Sequence, residues 1–229
     1  LKADLSIAVI VPVLNEQGAL PALIKRIDAM PYDDVVIVDG GSTDGSCLIL
    51  DASALRWITA PSGRAAQMNA GAILCRSDIL LFIHSDTEID ACCFAAIKAA
   101  MQDSATVAGR FDVTLSGRHP AFRIIERLIN LRSRLSGIST GDQCLFVRRS
   151  VFERMGGFAL QPLMEDIEFS KRLKRRGRIA CLHQRVTTSS RRWQQHGIIK
   201  TVLLMWRLRL LYWLGVPAER LAAAYRQVR

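Results

Sequence analysis

Two runs of apolar residues, each closed by an acidic signature, constrain this chain most. Val35-Val36-Ile37-Val38 leads into Asp39-Gly40-Gly41-Ser42-Thr43-Asp44, and Ile79-Leu80-Leu81-Phe82-Ile83 leads into His84-Ser85-Asp86-Thr87. Short unbroken apolar runs read as strands buried on both faces, the habit of a parallel sheet covered by helices. In open α/β sheets, ligands sit at the carboxyl ends of the strands. Carboxylates gathered there are costly to desolvate without a positive partner. Asp39 and Asp86 therefore point to a metal, a charged ligand, or both in one crevice, and Met164-Glu165-Asp166 adds a third acidic signature.

The alternation around these runs supports the same fold class. Strands are expected at 7–13, 35–38, 55–59 and 79–83, and helices at 19–30, 43–50, 64–75 and 91–101. Strand–helix alternation at this rhythm argues for a mostly parallel central sheet flanked by helices. The rhythm changes after about residue 105. A strand is expected at 107–115, a basic amphipathic helix at 121–135 and a short strand at 144–147. Helices are expected at 167–176, 198–214 and 218–227, the last two forming a helical C-terminal extension. With 229 residues, half of them apolar, and no repeat or low-complexity linker, one domain over 1–229 is expected.

Charge is unevenly spread. Residues 1–110 hold 8 Lys/Arg against 13 Asp/Glu, whereas residues 111–229 hold 23 against 8. A basic second half suits an anionic partner such as phosphate or a membrane surface. Nucleic acid is not expected, because that half has few aromatic stacking positions and no nucleic-acid motif. Six cysteines lack Cys-x-x-Cys or zinc spacing, so buried, reduced thiols in a reducing, cytoplasmic setting are expected. The first residues lack the cationic start and apolar core of a secretory leader. The 198–214 segment is interrupted by Lys200, Arg207 and Arg209, which argues against a span. Its Trp206, Tyr212 and Trp213 suit either a bilayer interface or packing on the domain.

Individual positions carry the chemistry. Pro12 cannot donate to a ladder, so the first strand is expected to stop near there. Asn15 and Glu16 then cap a helix or face a ligand. Asp44 suits a helix start, whereas Asp39 has no local structural duty and is free to accept a hydrogen bond from a base or ribose. Gly63-Arg64 enters a helix, where a guanidinium can meet phosphate. Asp86 can hold a divalent cation through one or two oxygens, with ligand phosphates completing the shell. His84 is either a metal or phosphate contact or a structural imidazole. Ser189-Ser190-Arg191-Arg192-Trp193 joins guanidinium groups to an indole, which suits clamping a phosphate or stacking on a sugar.

Taken in order, these pieces resemble the inverting family 2 glycosyltransferases of the GT-A fold. The resemblance rests on Pro12-Val13-Leu14-Asn15-Glu16, the Asp39–Ser46 stretch, the Asp86 strand end and Glu165-Asp166. Gly63-Arg64 with Gln67-Met68-Asn69, Gly141-Asp142-Gln143 and Ser190-Arg191-Arg192-Trp193 resemble its compact bacterial branch, over roughly residues 7–227. The resemblance implies a nucleotide-binding half at about 1–105, an acceptor half at about 106–195 and C-terminal helices at about 196–229. It implies that Pro12, Leu14, Glu16, Asp39, Arg64, Ser85 and Arg192 meet a nucleotide sugar, most commonly a UDP-sugar. Asp142, Gln143, Glu165 and Trp193 would border the acceptor. Asp86 matches the last acid of the metal motif, for Mn²⁺ or Mg²⁺, and Asp166 matches the catalytic base. His84 replaces the motif's first acid, a departure familiar in the compact branch. The acceptor is left open, a lipid-linked one at the inner face of a membrane included. A sugar nucleotidyltransferase is one alternative, although no cation stands in the loop after the first strand. A non-catalytic basic module that binds membrane or nucleotide is the other.

Overall fold

The computed structural model describes residues 4–226, with the side chains of Arg192 and Arg226 left out. Gln227, expected to end the last helix, lies outside the described residues. One sheet organises the chain. Its first strands are β1 (Ile7–Val13), β2 (Asp34–Asp39), β3 (Trp57–Thr59), β4 (Ile79–Phe82) and β5 (Thr87–Glu88). β6 (Thr106–Leu115), β7 (Phe146–Arg148) and β8 (Arg178–Thr188) complete it. The order across the sheet is β3-β2-β1-β4-β7-β6-β8-β5. β3, β2, β1 and β4 run parallel, β7 is antiparallel to both its neighbours, and β8 runs parallel to β6.

β1 lies within the parallel half, and all seven of its residues are buried. Alternate side chains enter two cores. Val9, Val11 and Val13 join Leu20, Leu23 and Ile27 of α1 (Leu20–Asp28) and Phe94 and Ile97 of α4 (Ala91–Met101). Ala8 and Ile10 face the other way, onto Ala65, Met68 and Ala72 of α3 (Arg64–Leu74). A sheet apolar on both faces requires helices on both, which is why the runs contain no charge. Gly71 lets α3 lie close to the sheet: a methyl group there would stand 2.7 Å from Ile10 Cγ2 and 3.0 Å from Val38 Cγ2.

β1 stops one residue beyond Pro12, as expected. Pro12 pairs with Val38, and Val13 carries the strand on to Asp39. The carbonyl of Ile10 accepts from Ile83 N, toward β4, while that of Val13 accepts from Gly40 N, toward β2. Pro12 shares the side of Ile10, where β4 has already left the sheet, so its missing N–H costs no ladder bond.

The helix after Gly40 is α2 (Ser46–Asp51), three residues later than expected, because 43–45 are spent on the loop. β3 is shorter than expected, and the strand expected at 144 starts at Phe146. β5, β8 and the short helices α6 (Arg149–Arg154) and α8 (Arg191–His196), with α7 (Glu165–Leu173) between them, complete the middle of the chain. Of these only α7 was expected. β8 spreads Arg, His and Gln over a half-exposed strand, which hides the alternation that a sequence pattern needs.

α5 (Pro120–Ser136) is tied to β6 by charge. Buried Arg110 and half-buried Arg134 share the carboxylate of Asp112. α9 (Ile198–Trp213) and α10 (Ala218–Arg226) bring Leu208 and Leu221 against Met164 and Ile167, so the C-terminal helices brace the start of α7. Ile198 and Val202 of α9 also meet Phe122 and Ile125 of α5. No helix among the described residues is long and apolar enough to cross a membrane.

Candidate functional site

The loops that follow β1 and β2 are interlocked side by side. Asn15 N donates to Ser42 Oγ, and Asn15 Oδ1 accepts from Thr43 N. Glu16 N donates to Ser46 Oγ, Gln17 N to Asp44 Oδ2, and Gln17 Oε1 accepts from Gly45 N. Asn15 does not cap α1, whose N-cap is Ala19, whereas Asp44 stands at the start of α2 as expected, its Oδ1 accepting from Ser46 N, the first amide of that helix. Asp39 has the local duty that its sequence position did not reveal. Its carboxylate accepts from Gly41 N, Ser42 N and the Ser42 hydroxyl, and it is fully buried. Gln67 of α3 ties the two strand ends together by donating to the carbonyls of Val13 and Val38. These contacts leave Leu14 exposed and Glu16 half-exposed at the rim, above buried Pro12.

A cleft opens where the carboxyl end of β4 meets α3 and α7. It holds about 330 Å³, open mouth included, and is lined by Arg64, His84, Gly141, Glu165 and Asp166 among others. Residues about a hundred positions apart thus meet. Arg64 Nη1 approaches Glu165 Oε1 at 3.5 Å, with the carboxylate buried and the guanidinium half-exposed. Burial pushes the Glu165 carboxyl up, against the Arg64 charge and with that of Asp166. Asp166 is half-exposed, and its Oδ2 accepts from Gly141 N at 2.9 Å. Its Oδ1 accepts from Ile167 N.

The turn that delivers Gly141 is a 3₁₀ turn, Gly141–Gln143, closed by a capping box between Thr140 and Gln143. Thr-x-x-Gln is a helix-start signal that the sequence displays, and its role here was missed. Gln143 is fully buried, bonded to Thr140 and the Phe111 carbonyl, so it acts through the turn rather than by lining the cleft. Gly141 is packed flat against the imidazole of His84, and a methyl group at its Cα would overlap Nε2 and Cε1.

Strain concentrates in these segments. Among the described residues, the non-glycine positions with positive φ are Asn15, Cys144 and Met164. Each adjoins a site segment: the loop after β1, the 3₁₀ turn, and the Glu165-Asp166 pair. Left-handed backbone at such residues is unfavourable and persists where surrounding contacts impose it.

Other expected positions lie outside the cleft lining. Asp86 is half-exposed in the turn after β4, where Thr87 N donates to the His84 carbonyl. Ser85 is buried, its carbonyl accepting from Arg26 Nη2. Trp193 packs against the Phe122–Ile125 cluster of α5. Arg192 is on α8, and its side chain lies outside the described residues.

Among the described residues no group of three or more His, Cys, Asp or Glu side chains is arranged to hold a metal. The donor set does fit a cation bound through one or two carboxylates, the habit of ions that also take ligand phosphates. Asp86 is such a carboxylate. Asp142 contributes a buried Oδ1 that has no hydrogen-bond partner. Both lie close enough to Cys144 for their charges to raise its thiol pKa further, after burial and the Cys93 charge.

Comparison with known proteins bears on this arrangement. The sequence pattern described as Glycosyl transferase family 2 matches residues 8–156. An undecaprenyl-phosphate 4-deoxy-4-formamido-L-arabinose transferase of Pseudomonas fluorescens strain Pf-5 is 30% identical over 95 residues, 36% of this chain and 28% of that protein. Its counterpart in strain Pf0-1 is 26% identical over 171 residues, 65% of this chain and 48% of that protein. The matched region thus spans less than half the length of either relative. Among solved structures, S. aureus TarS 1-349 is similar with a TM-score of 0.65 at 18% identity, over 82% of this chain and 61% of that one. The mannosyltransferase PcManGT of Pyrobaculum calidifontis, in complex with GDP-Man and Mn²⁺, gives 0.61 at 21% identity, over 81% and 57%. The fold is therefore that of the GT-A glycosyltransferases, as the sequence led us to expect.

Proposed function

From the premise that the chain belongs to glycosyl transferase family 2, we propose that it is an inverting, metal-dependent enzyme that moves a sugar from a nucleoside diphosphate sugar to an acceptor hydroxyl. The observation that carries this reading is the Asp166 carboxylate, held in the cleft by the Gly141 N–H with Arg64, Glu165 and His84 around it.

In the proposed reaction, Asp166 takes the proton of the acceptor hydroxyl as its oxygen attacks the anomeric carbon from the side opposite the leaving group. The bond to the nucleoside diphosphate breaks with inversion, and the electron pair leaves with the diphosphate. Arg64 stands where it can meet that growing charge. Glu165 keeps Arg64 at the cleft. Asp39, by organising Gly41 and Ser42, shapes the turn that receives the nucleoside, with Pro12, Leu14 and Glu16 at its edge. Asp86, with His84 two residues before it, would hold Mn²⁺ or Mg²⁺, whose contribution is to neutralise diphosphate charge.

A uridine donor is supported by TarS, which is solved with UDP and with UDP-GlcNAc. A divalent cation is supported by PcManGT and by the glucosyl-3-phosphoglycerate synthase of Mycobacterium tuberculosis, both solved with Mn²⁺. A lipid-linked acceptor is supported by the curated relatives, which are undecaprenyl-phosphate sugar transferases by name. It is supported again by two exposed apolar stripes. Ile124, Leu128, Leu131 and Leu135 recur along one face of α5, and Ile199, Leu203, Trp206, Leu210 and Trp213 along one face of α9. Exposed Arg127, Lys200 and Arg207 accompany them, a combination suited to an anionic bilayer interface. We therefore read the protein as cytoplasmic and peripheral, working at the inner face of a membrane.

Asp166→Asn tests the assignment. Turnover with a nucleotide sugar and accepting lipid should fall by about 10² to 10⁴, with donor affinity in calorimetry unchanged. Transfer at the parent rate would remove Asp166 as base.

A further inference from the structure

Gln67 stands three residues after Arg64 on α3, and only 3% of its surface is exposed. Its Nε2 donates to the Val13 carbonyl at 2.7 Å and to the Val38 carbonyl at 2.8 Å. An amide nitrogen presents two hydrogens in one plane at a fixed angle, and here each is given to a different strand. Val13 is the last residue of β1, and Val38 is the last but one of β2. The two carbonyls are therefore held at one separation where their strands leave the sheet for the loops 14–19 and 40–45. Those loops hold each other through Asn15 and Gln17 at exposed positions, where water competes for the same groups. The two Gln67 bonds are buried, which strengthens them and makes them costly to break.

Gly40 is fitted to this amide. Gly41 has a φ of +88°, which the turn requires, whereas Gly40 is not among the described glycines with positive φ. The missing side chain of Gly40 makes room instead. A methyl group there would stand 2.9 Å from both Cδ and Nε2 of Gln67 and 3.0 Å from its Oε1. The helix itself has separate anchors. Asn69 Nδ2 donates to the Phe158 carbonyl, and Phe158 N donates back to Asn69 Oδ1. Gly71 seats α3 against Ile10 and Val38. Loss of the Gln67 bonds would thus free the two strand ends and leave α3, with Arg64 at its start, in place.

We propose that Gln67, seated on Gly40, is a positioning residue for the nucleotide-sugar donor. It acts through the loops after β1 and β2 rather than on the donor itself. This deepens the transferase reading and rests on it. The rim residues Pro12, Leu14 and Glu16 follow one strand, the Asp39–Ser42 turn follows another, and Arg64 opens a helix. Gln67 bonds both strands from the helix that carries Arg64, so all three share one frame. A donor that reaches from nucleoside to diphosphate then meets a preset spacing and does not have to order the loops as it binds.

The test titrates UDP into the whole protein with Mn²⁺ present, by calorimetry, alongside urea unfolding. Gln67→Met keeps the length of the side chain and removes both donors. UDP affinity should fall by about tenfold or more, because two buried carbonyls lose a partner and the loops must be ordered on binding. Gly40→Ala crowds the amide without removing it. It should weaken UDP binding in the same direction, and it serves if Gln67→Met does not fold. Ile97→Ala supplies the contrast, since it cuts the core on the other face of the sheet. It should lower the urea midpoint at least as far as Gln67→Met does, with UDP affinity at the parent value. Amide exchange without nucleotide should quicken over residues 39–46 in Gln67→Met beyond what Ile97→Ala shows. Equal UDP affinity in the parent and Gln67→Met would overturn the role. So would an equal loss of affinity in Ile97→Ala, which would reduce Gln67 to a contributor to general stability. A parent that takes up neither UDP nor GDP, with residues 39–46 still loosened in Gln67→Met, would sink the transferase reading instead and leave Gln67 as the clamp on the two loops.

Discussion

The backbone N–H of Gly141 donates a 2.9 Å hydrogen bond to Oδ2 of Asp166, joining the turn after α5 to the first turn of α7. With Oδ1 accepting from Ile167 N, both carboxylate oxygens have backbone donors that fix their orientation. A base held this way faces the cleft without having to be ordered when substrate arrives.

Gly141→Ala should disturb that arrangement directly. The added methyl group overlaps the His84 ring, so the imidazole or the 3₁₀ turn must move. Overpacking of this kind costs about 1–3 kcal/mol, readable as a lower urea midpoint. Turnover should fall more than donor affinity, because the hydrogen bond to Asp166 moves with the turn. Parent-like stability and turnover would show that the turn is not rigid.

Asp86→Ala should uncouple nucleotide binding from divalent cations. In the parent, UDP affinity measured by calorimetry should drop when EDTA replaces Mn²⁺. In the variant the two conditions should agree, at the weaker value. An unaltered cation dependence in the variant would move the metal site elsewhere.

Glu165 should give stability a dependence on pH. Burial holds its folded-state pKa above the ordinary 4.5, so the folded protein binds this proton more tightly than the unfolded chain does. Its favourable contribution is complete below 4.5 and is lost as pH rises through the raised value. Glu165→Gln removes that dependence. Relative to the parent, the variant's urea midpoint should be higher at neutral pH, and the difference should close as the pH drops below 4.5. A gap that widens on acidification would contradict the assignment.

The six cysteines are all free and should divide by burial. Desolvation pushes Cys75 and Cys93 up to about 12 and Cys144 well above its ordinary range, which leaves their thiolates scarce. Exposed Cys92 should be alkylated within a brief exposure to iodoacetamide at neutral pH. Cys75, Cys93 and Cys144 should be modified only after denaturation, as peptide mass spectrometry would report. Rapid labelling of Cys93 in the folded protein would contradict its burial against the sheet.

Much of the fold was legible in the linear chain because its signals are local. The runs before Asp39 and His84 contain no residue that tolerates solvent, so they had to be interior strands, and the acids after them had to stand at the sheet's carboxyl edge. β8 escaped notice because its charged residues interrupt any period over eleven positions, and its pairing with β6 is set by a distant partner. Asp39 misled for a related reason: the amides it binds exist as a cluster only once Gly41 and Ser42 have turned back over it.

The chain's order of residues determined by itself where apolar strands end and which acids follow them, since burial and backbone geometry act over a few neighbouring positions. Only the tertiary structure decided that Arg64 meets Glu165 across 101 residues and that Gly141 orients Asp166. Those pairings depend on how the sheet and helices pack in three dimensions, and charge acts through space without regard to separation along the chain.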